Sequence, residues 1–410
     1  AQALWVAANF RREAQLPEGQ IDRTRPANYP SAKYFAQTAG PAVCLMALSR
    51  ALDDGDPAVA LGVIEALGNT AGPASLISDA AGRLPLAEAL SFPDRMVRIR
   101  AALTLGNARP VQPFHHHQNL MPVLCEALRL HVGARSALVV DPDAESANRL
   151  AGWLRADGYE VVVDGEFFRG LQKVRDQLPA LDLIVLASTL PDAALEQALG
   201  QLHDEFRFAA TPVLVVAKPG DRDRVAELVR PNHRLGQFRA DGSAEEFRRV
   251  AGEVSRAVGI TPITPEVGTA SALEAAQTLR LLAVSQNPLF NLADAQSALI
   301  ETLAAGNPQL RLAAAEVLAY ICTPQAQEAL ADLVLGDRWP EKERVELFAV
   351  LADSAKHCGC QLGDASVSRI IALAESAENL TIRTAASQAL GALNLPANKG
   401  SEIIRNQYGG

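Results

Sequence analysis

The sequence predicts a mostly α-helical protein with one α/β domain, in which two blocks of stacked helix pairs flank a doubly wound, five-stranded parallel sheet. Helical runs separated by short Gly or Pro breaks fill residues 1–132 and 266–410, whereas residues 135–260 alternate short apolar runs with helices. A short motif also recurs in both helical regions. The chain is therefore predicted to have three domains, with the α/β domain inserted between two repeat blocks.

Composition excludes several functional classes. The chain has 410 residues, of which 49% are hydrophobic, 21% charged and only 5% aromatic, and its net charge is −9. No apolar run approaches the ~18 residues of a membrane span, and the high apolar content argues against disorder. Nucleic-acid binding is not expected, because the acidic chain lacks a Lys/Arg-rich run and has few aromatic rings for stacking on bases.

The beginning of the chain and its cysteines leave the compartment open. Residues 1–20 are predicted to be helical, and the first residue is Ala1 rather than methionine. Both a cytoplasmic protein and one exported by a segment preceding Ala1 are compatible with the sequence. The cysteines are few, odd in number and scattered, which predicts no disulfide framework (Cys44, Cys125, Cys322, Cys358 and Cys360).

Five short runs in the central region are rich in Val, Leu and Ile, which is typical of parallel strands buried on both faces. The predicted strands are Ala137–Val140, Glu160–Val163, Leu183–Leu186, Pro212–Val216 and Leu235–Arg239. The segments between and after them are predicted helices, at Glu145–Ala156, Glu166–Gln177, Ala193–Glu205, Arg222–Val229 and Ala244–Val258. Five such βα units form a doubly wound domain.

The helical regions contain a repeat motif, in which a turn with Pro or a polar residue precedes a β-branched residue or Leu and then Ala-rich apolar periodicity. The copies read GDPAVALGVIEALG (55–68), PDRMVRIRAALTLG (93–106), NPQLRLAAAEVLA (307–319), NLTIRTAASQALG (379–391) and, more weakly, EKERVELFAVLAD (341–353). Aligned positions are 38 residues apart at Val59 and Val97, 35 at Leu310 and Val345, and 37 at Val345 and Ile382. This period fits one helix pair per repeat, stacked into an α-solenoid. The copies resemble HEAT repeats.

The central domain resembles a response-regulator receiver domain through its first, third and fourth strands, SALVVDPD (136–143), LDLIVLASTLP (181–191) and TPVLVVAK (211–218). The resemblance implies a Mg²⁺-binding acidic pair after the first strand, where Asp141 is followed by Pro142 and, one residue late, by Asp143. It places the family's phosphoacceptor aspartate at Ala187, its Thr/Ser residue at Ala217, and its lysine at Ala240, beside Asp241.

Alanine supplies no nucleophile, metal ligand or cation, and Asp141 alone is a poor Mg²⁺ site because this ion needs several oxygen ligands. Asp182 begins its strand, at the end away from the site, and does not replace the missing carboxylate. The domain is therefore interpreted as a pseudo-receiver that accepts no phosphoryl group. A flavodoxin-like domain without receiver ancestry is the alternative.

Two segments carry residues that bind metals in other proteins. His115, His116 and His117 are adjacent, yet consecutive side chains do not converge on one ion unless the loop folds tightly, so a polar loop is favoured. His357-Cys358-Gly359-Cys360 lacks a second cysteine pair, and Gly359 suits a helix end. A structural turn or a redox-dependent pair of thiols is favoured there over zinc.

Lys218-Pro219-Gly220-Asp221 follows the fourth predicted strand. With Asp141, Asp143, Ser188 and Thr189 it could line a polar cleft at the strand ends, where parallel sheets bind ligands. An ordinary loop that begins a helix is the favoured alternative. The motif arginines are interpreted as structural residues that pair with turn aspartates, rather than as an exposed ladder (Arg98, Arg100, Arg311 and Arg383).

Three functional classes follow. The leading hypothesis is a non-enzymatic scaffold that binds partner proteins through its solenoid surfaces, with the receiver-like domain as a docking module. The second is a regulator that senses a small ligand or ion at the strand-end cleft. The third is an enzyme of the HEAT-like lyase or hydrolase kind. No catalytic, cofactor-binding or metal-binding residue is assigned, and no nucleic-acid partner or membrane span is expected.

Overall fold

The computed structural model describes residues 1–15, 30–70, 82–133, 135–177, 181–258 and 263–395. In these ranges the chain is mostly helical and contains one five-stranded parallel sheet. Before the sheet lie α1 (Gln2–Ala14), α2 (Ala32–Ala39), α3 (Pro41–Asp53), α4 (Pro57–Thr70), α5 (Pro85–Glu88), α6 (Arg95–Ala108) and α7 (Leu120–Arg129). After it lie α13 (Pro265–Val284), α14 (Gln296–Thr302), α15 (Pro308–Leu318), α16 (Pro324–Leu335), α17 (Glu341–Cys358), α18 (Asp364–Ser376) and α19 (Leu380–Ala392). Residues 16–20 of the predicted first helix lie outside the described residues.

The chain divides into two compact units. The first contains Ala1–Thr104, Phe114–Asn119 and Gly133–Thr264, and the second contains Leu105–Pro113, Leu120–Val132 and Pro265–Gly410. In the second unit, α7 packs against α13 and α14. The division of the sequence into domains at 1–132, 135–260 and 266–410 stays a prediction.

Each clear copy of the repeat motif places a helix cap three residues before its aligned apolar residue. In each copy the backbone amide of that apolar residue donates a hydrogen bond of 3.0–3.1 Å to the side-chain oxygen of the cap. The caps are Asp56 for α4, Asp94 for α6, Asn307 for α15 and Asn379 for α19. Such a cap satisfies an amide that the first helical turn leaves without a partner, and stabilises the helix by about 1 kcal/mol. The turn of the motif is thus a helix start signal.

Two motif arginines are buried. Arg98 is 1% exposed and donates to the carbonyl oxygens of Phe92 and Pro93 at 2.9 and 2.7 Å. Arg311 is also 1% exposed and donates to the carbonyls of Leu303 and Ala305 and to the carboxylate of Glu343. Both side chains thus bind turn carbonyls, and Arg311 also binds a glutamate.

The Leu-Gly end of the motif has a different environment in each copy. A Cβ atom on Gly106 of α6 would lie 2.4 Å from the Thr278 side chain of α13, which is too close. On Gly68 of α4 it would make an ordinary contact at 3.6 Å, and on Gly391 of α19 it would meet nothing within 4 Å. Only the Gly106 copy therefore marks a close approach of two helices.

The sheet contains β1 (Arg135–Val140), β2 (Tyr159–Asp164), β3 (Leu183–Ala187), β4 (Val213–Ala217) and β5 (Leu235–Arg239) in the order β2-β1-β3-β4-β5. All neighbouring strands are parallel. The helices are α8 (Ala144–Ala156), α9 (Phe167–Gln177), α10 (Leu195–Asp204), α11 (Arg222–Val229) and α12 (Ala244–Val258). Every predicted strand and helix of this region is present, with its ends shifted by at most two residues.

Each face of the sheet is covered by helices. Leu138, Val140, Ile184 and Leu186 lie in one core with apolar residues of α9, α10 and α11. Ala137, Val139, Leu183 and Val185 lie in the other core with residues of α8 and α12. Alternate residues of one strand thus enter opposite cores, which is why these strands read as continuously apolar runs.

Candidate functional site

A cleft of about 390 Å³ lies at the carboxyl edge of the sheet. Parallel pairing brings the ends of β1, β3, β4 and β5 to this edge, and doubly wound sheets bind ligands there. The cleft is lined by Asp141, Asp143, Glu145, Ser146, Arg149, Ala187, Val216, Lys218, Pro219, Ala240 and Asp241. The lining therefore contains four of the six positions taken from the receiver resemblance, namely Asp141, Asp143, Ala187 and Ala240, but not Pro142 or Ala217.

Asp141 follows β1 and is 5% exposed. Its amide donates to the carbonyl of Asp164 at 3.1 Å, which extends the pairing of β1 with β2 by one residue. Its Oδ1 atom accepts the amide of Asp143 at 3.0 Å. The intervening Pro142 has no amide hydrogen to donate. Among the described residues, Oδ2 of Asp141 has no hydrogen-bond partner.

Asp143 caps the helix that follows. Its Oδ1 atom accepts the amides of Glu145 and Ser146 at 3.0 and 3.3 Å. The side chain thus satisfies the first turn of α8. Across the described ranges, no group of three or more His, Cys, Asp or Glu side chains is arranged to hold a metal ion.

The ends of β3 and β4 present methyl groups. Ala187, the last residue of β3, is 2% exposed and pairs with Val216 of β4. Ala217, the last residue of β4, is fully buried and belongs to the core beside α9, α10 and α11. Ala240 follows β5 and packs against the opposite core. The three alanines provide neither a nucleophile nor a charge.

A hydrogen-bonded cluster lies after β3 and β4. The hydroxyls of Ser188 and Thr189 donate to Oδ2 of Asp221 at 2.7 and 3.3 Å. These hydrogen bonds, Ser188 foremost, lower the pKa of the Asp221 carboxyl, and the charges of Arg224 and Lys218 act in the same direction. Of the residues proposed for a polar cleft, Asp141, Asp143 and Lys218 line it, whereas Ser188 and Thr189 bind Asp221 instead.

Arginines occupy the β5 side of the cleft. Arg149 of α8 donates to the carbonyl oxygen of Ala240 at 3.0 Å. Asp241 forms ion pairs with Arg222 at 3.0 Å and with Arg239 at 3.1 Å. The Arg239 hydrogen bond is the main reason that the pKa of Asp241 is lowered. The negative charge of Asp241 is therefore compensated within the protein.

Sequence reasoning missed a buried ionic cluster at the end of β2. The Asp164 carboxylate, in a side chain 1% exposed, lies 2.8 Å from Arg169 and 2.7 Å from Lys173. The hydrogen bonds from Arg169, and then from Lys173, hold the pKa of Asp164 far below its usual value. An aspartate at a strand end, with cations five and nine residues later on the next helix, was the signal available.

The histidine segment does not form a converging set. The rings of His115 and His116 meet edge-on with centroids 3.8 Å apart, and Nδ1 of His117 bonds the carbonyl of Phe114 at 2.8 Å. Partial burial, and then the neighbouring His115, lower the pKa of His116. The side chains therefore pair with each other and with the loop backbone.

A pair of Cys358 and Cys360, one of the two alternatives favoured over zinc, was wrong. Cys358 forms a disulfide with Cys322, while Cys360 is a half-buried free thiol. Cys322 lies between α15 and α16, and Cys358 ends α17, so stacking of the helices joins residues 36 positions apart. Gly359 ends α17 with a φ of 72°, as predicted for a helix end.

Comparisons with known proteins give a likeness among solved structures. No family model matches the chain, and no curated protein matches it. Among solved structures, a response regulator receiver domain protein from Clostridium thermocellum is similar over 30% of this chain and 94% of its own, with 16% identity and a TM-score of 0.27. In the described part of the chain, no helix is long and apolar enough to cross a membrane.

Proposed function

We propose that this protein is a non-enzymatic scaffold that binds partner proteins, with HEAT-like helix pairs stacked as a solenoid and a receiver-like domain that accepts no phosphoryl group. The observation that carries the proposal is the end of β3, where Ala187 provides no carboxylate at the position that the receiver resemblance gives to the phosphoacceptor. Phosphoryl transfer to a receiver-like cleft needs a carboxylate nucleophile, a metal bound by several oxygens, and a cation for the developing charge.

The remaining polar groups are in other roles. Asp143 caps α8, and the hydroxyl of Ser188, which follows Ala187, donates to Asp221. Asp141 is the buried carboxylate of the cleft, yet it accepts the amide of Asp143 with one oxygen. These contacts support a docking module rather than a phosphorylation switch.

Incubation with acetyl phosphate and Mg²⁺ tests this proposal. We expect the intact mass of the protein to stay unchanged, while a phosphorylatable receiver domain treated in parallel gains one phosphoryl group. Acid-labile phosphorylation in proportion to the protein would contradict the proposal, and peptide mapping would then identify the acceptor.

An exposed aromatic cluster on α1 and α2 supports partner binding. Trp5 and Tyr34 are 46% and 54% exposed, and both rings contact Phe35, at centroid distances of 4.6 and 6.1 Å. Leu4, beside Trp5, is 64% exposed. Exposed apolar groups that adjoin one another mark interaction sites, and Trp and Tyr often dominate binding energy at protein interfaces.

Quantitative affinity capture from the source cells tests this surface. The Trp5→Ala/Tyr34→Ala double variant is expected to lose a partner that the wild type retains, because it removes two large exposed rings. Val111→Ala is the matched control, since Val111 is 64% exposed in the other unit. Recovery of the same partners in equal amounts by the double variant would count against this surface.

A second candidate is a regulator that binds a small ligand at the strand-end cleft. It is favoured by Asp141, a buried carboxylate that lines an open cleft with one oxygen free of protein hydrogen bonds in the described ranges. Thermal-shift screening with amines, nucleotides, phosphates and divalent metals tests it. A ligand at a hundred times its Kd stabilises the folded state by about 2.7 kcal/mol, which such a screen detects.

The disulfide favours the exported alternative for localisation. Disulfides persist in oxidising compartments and are rare in a reducing cytosol. Fractionation of the source cells, with Cys322 and Cys358 assayed for oxidation in each fraction, tests this proposal. A protein found in the cytosol with both thiols reduced would contradict it.

A further inference from the structure

Asp141 is a buried carboxylate without a cationic partner in the described part of the chain. The residue is 5% exposed and lines the cleft at the carboxyl edge of the sheet. Its one side-chain hydrogen bond there is from the amide of Asp143 to Oδ1. A buried charge is costly unless a counter-ion or several hydrogen bonds compensate it.

The other acidic residues of the cleft differ from Asp141. Asp143 uses its carboxylate to cap α8, and Asp241 is paired with Arg222 and Arg239. Glu145 lies at the exposed rim. Asp141 is therefore the acidic group in this cleft that is both buried and uncompensated.

The two cations of the cleft leave Asp141 available. Arg149 donates to the carbonyl of Ala240, and neither Arg149 nor Lys218 lies within ion-pair distance of Asp141. Small side chains lie nearby, because Ala187 ends β3 and Ala240 follows β5. Val216 and Pro219 add apolar surface to the same cleft.

We propose that this cleft binds an alkylammonium group, with Asp141 as its counter-ion. The inference rests on the second candidate function and names the ligand class. An ammonium group brings three hydrogen-bond donors to a site that has a free carboxylate oxygen. Its methylene stem is suited to a wall made of Ala187, Val216 and Ala240, as long cationic side chains bury their stems along apolar surface.

A divalent cation fits this site less well. Mg²⁺ and Ca²⁺ take six or more oxygen ligands, which for Ca²⁺ come from several protein oxygens and for Mg²⁺ from one or two carboxylates, several waters and often a phosphate. Here the carboxylates beside Asp141 serve a helix cap and an arginine pair, and the described residues hold no cluster of three metal-binding side chains. An ammonium group needs one strong acceptor and a space of its own size.

Calorimetric titration of the full chain tests the proposal with two probes, butylammonium and N-acetyl-lysine methylamide. The matched neutral ligand is the same lysine derivative acetylated on its side chain. We expect both amines to bind saturably and the neutral ligand not to bind. Binding of either amine supports the proposal. The probe with the higher affinity shows whether the natural ligand is a free amine or a lysine side chain.

Variants assign the binding to Asp141. Asp141→Asn should weaken amine binding about tenfold or more, because it removes the charge that the ammonium pairs with. Asp223→Asn, at an exposed position of α11, makes the same chemical change and should leave binding unchanged. Ala187→Leu keeps the carboxylate and fills the cleft, and should also abolish binding. Melting curves show whether each variant is folded.

Four results would overturn the proposal. Equal amine affinity in wild type and Asp141→Asn would show that Asp141 is not the counter-ion of the amine. Saturable Mg²⁺ binding that is lost in Asp141→Asn would show that the cleft binds a metal. If neither amine binds while another compound of the screen stabilises the protein through the cleft, the alkylammonium proposal is contradicted and the ligand-sensing function is still supported. If no compound binds, both the alkylammonium proposal and the ligand-sensing function are contradicted.

Discussion

Arg311 donates a hydrogen bond to Glu343, and this buried pair joins α15 to α17 in the second unit. The same guanidinium donates to the carbonyls of Leu303 and Ala305 and lies over the ring of Trp339. A single side chain thus connects a turn, a tryptophan and a helix of the next repeat.

Replacing Arg311 with leucine should destabilise the fold strongly. The change leaves the Glu343 carboxylate buried without its cation, which costs about 3–5 kcal/mol. Arg383 occupies the same motif position in α19 and is half-buried, so Arg383→Leu should cost about 0.5 kcal/mol or less. Urea unfolding followed by circular dichroism gives both values, and equal losses would show that burial of Arg311 is not the reason.

Loss of the Cys322–Cys358 disulfide should lower stability. The bond closes a loop of 36 residues, and restricting a loop of this size in the unfolded chain contributes about 4 kcal/mol. Cys322→Ser/Cys358→Ser should therefore unfold at lower urea concentration than the wild type. Cys360→Ser is the control and should unfold like the wild type, because this thiol is free. If the double variant and the control unfold alike, the bond does not stabilise the fold.

The three free thiols should differ in reactivity. Burial raises the pKa of both Cys44 and Cys125 to about 11, so at pH 8 very little of either is thiolate, the reactive form. Cys360 is half-buried. Iodoacetamide should modify Cys360 first in the native protein and reach the other two only after unfolding, as measured by peptide mass spectrometry. Rapid native labelling of Cys44 or Cys125 would contradict their burial.

Asp164 should make the stability of the α/β domain depend on acid pH. Its folded pKa lies below the unfolded value of about 4, so the unfolded chain takes up the proton first as the pH falls. The contribution of Asp164 is therefore present above pH ~4 and is lost below it. Arg169 and Lys173 are half-exposed, and solvent screens part of the effect.

Melting temperatures of wild type and Asp164→Asn between neutral and acid pH test this prediction. The wild type should melt higher at neutral pH, and the difference should shrink as the pH falls below about 4. Asp223→Asn, at an exposed site, controls for the loss of one charge. A difference that stays constant with pH would mean that Asp164 acts through packing rather than through its charge.

The elements of the α/β domain could be predicted because their signals are local. Short apolar runs such as Leu183–Ala187 enter both cores, and turn residues such as Pro142 and Gly158 separate them from the helices. The edge of the cleft followed from parallel pairing alone. Asp141 could be placed at that edge by its strand end, and Ala187 and Ala240 by the resemblance to receiver domains.

What the sequence did not reveal depends on contacts between distant segments. Cys322 meets Cys358 only because α15, α16 and α17 stack. Asp192 accepts the amides of Phe167 and Phe168, which begin α9, from a loop about 25 residues away. The 36 residues between the cysteines equal about one period of the repeat motif, yet the period alone does not identify which side chains meet, so packing determines both pairings.

The Leu-Gly ending of the repeat motif shows where a substitution could make the chain more stable. Glycine costs roughly 0.5–1 kcal/mol relative to alanine inside a helix. At Gly106 this cost is unavoidable because Thr278 occupies the space, whereas at Gly391 nothing lies within 4 Å of the added carbon atom. Gly391→Ala should raise the free energy of unfolding, and Gly106→Ala should lower it. The same glycine of the motif is thus required for close helix packing in one copy, whereas in another copy it is a position where alanine can raise stability.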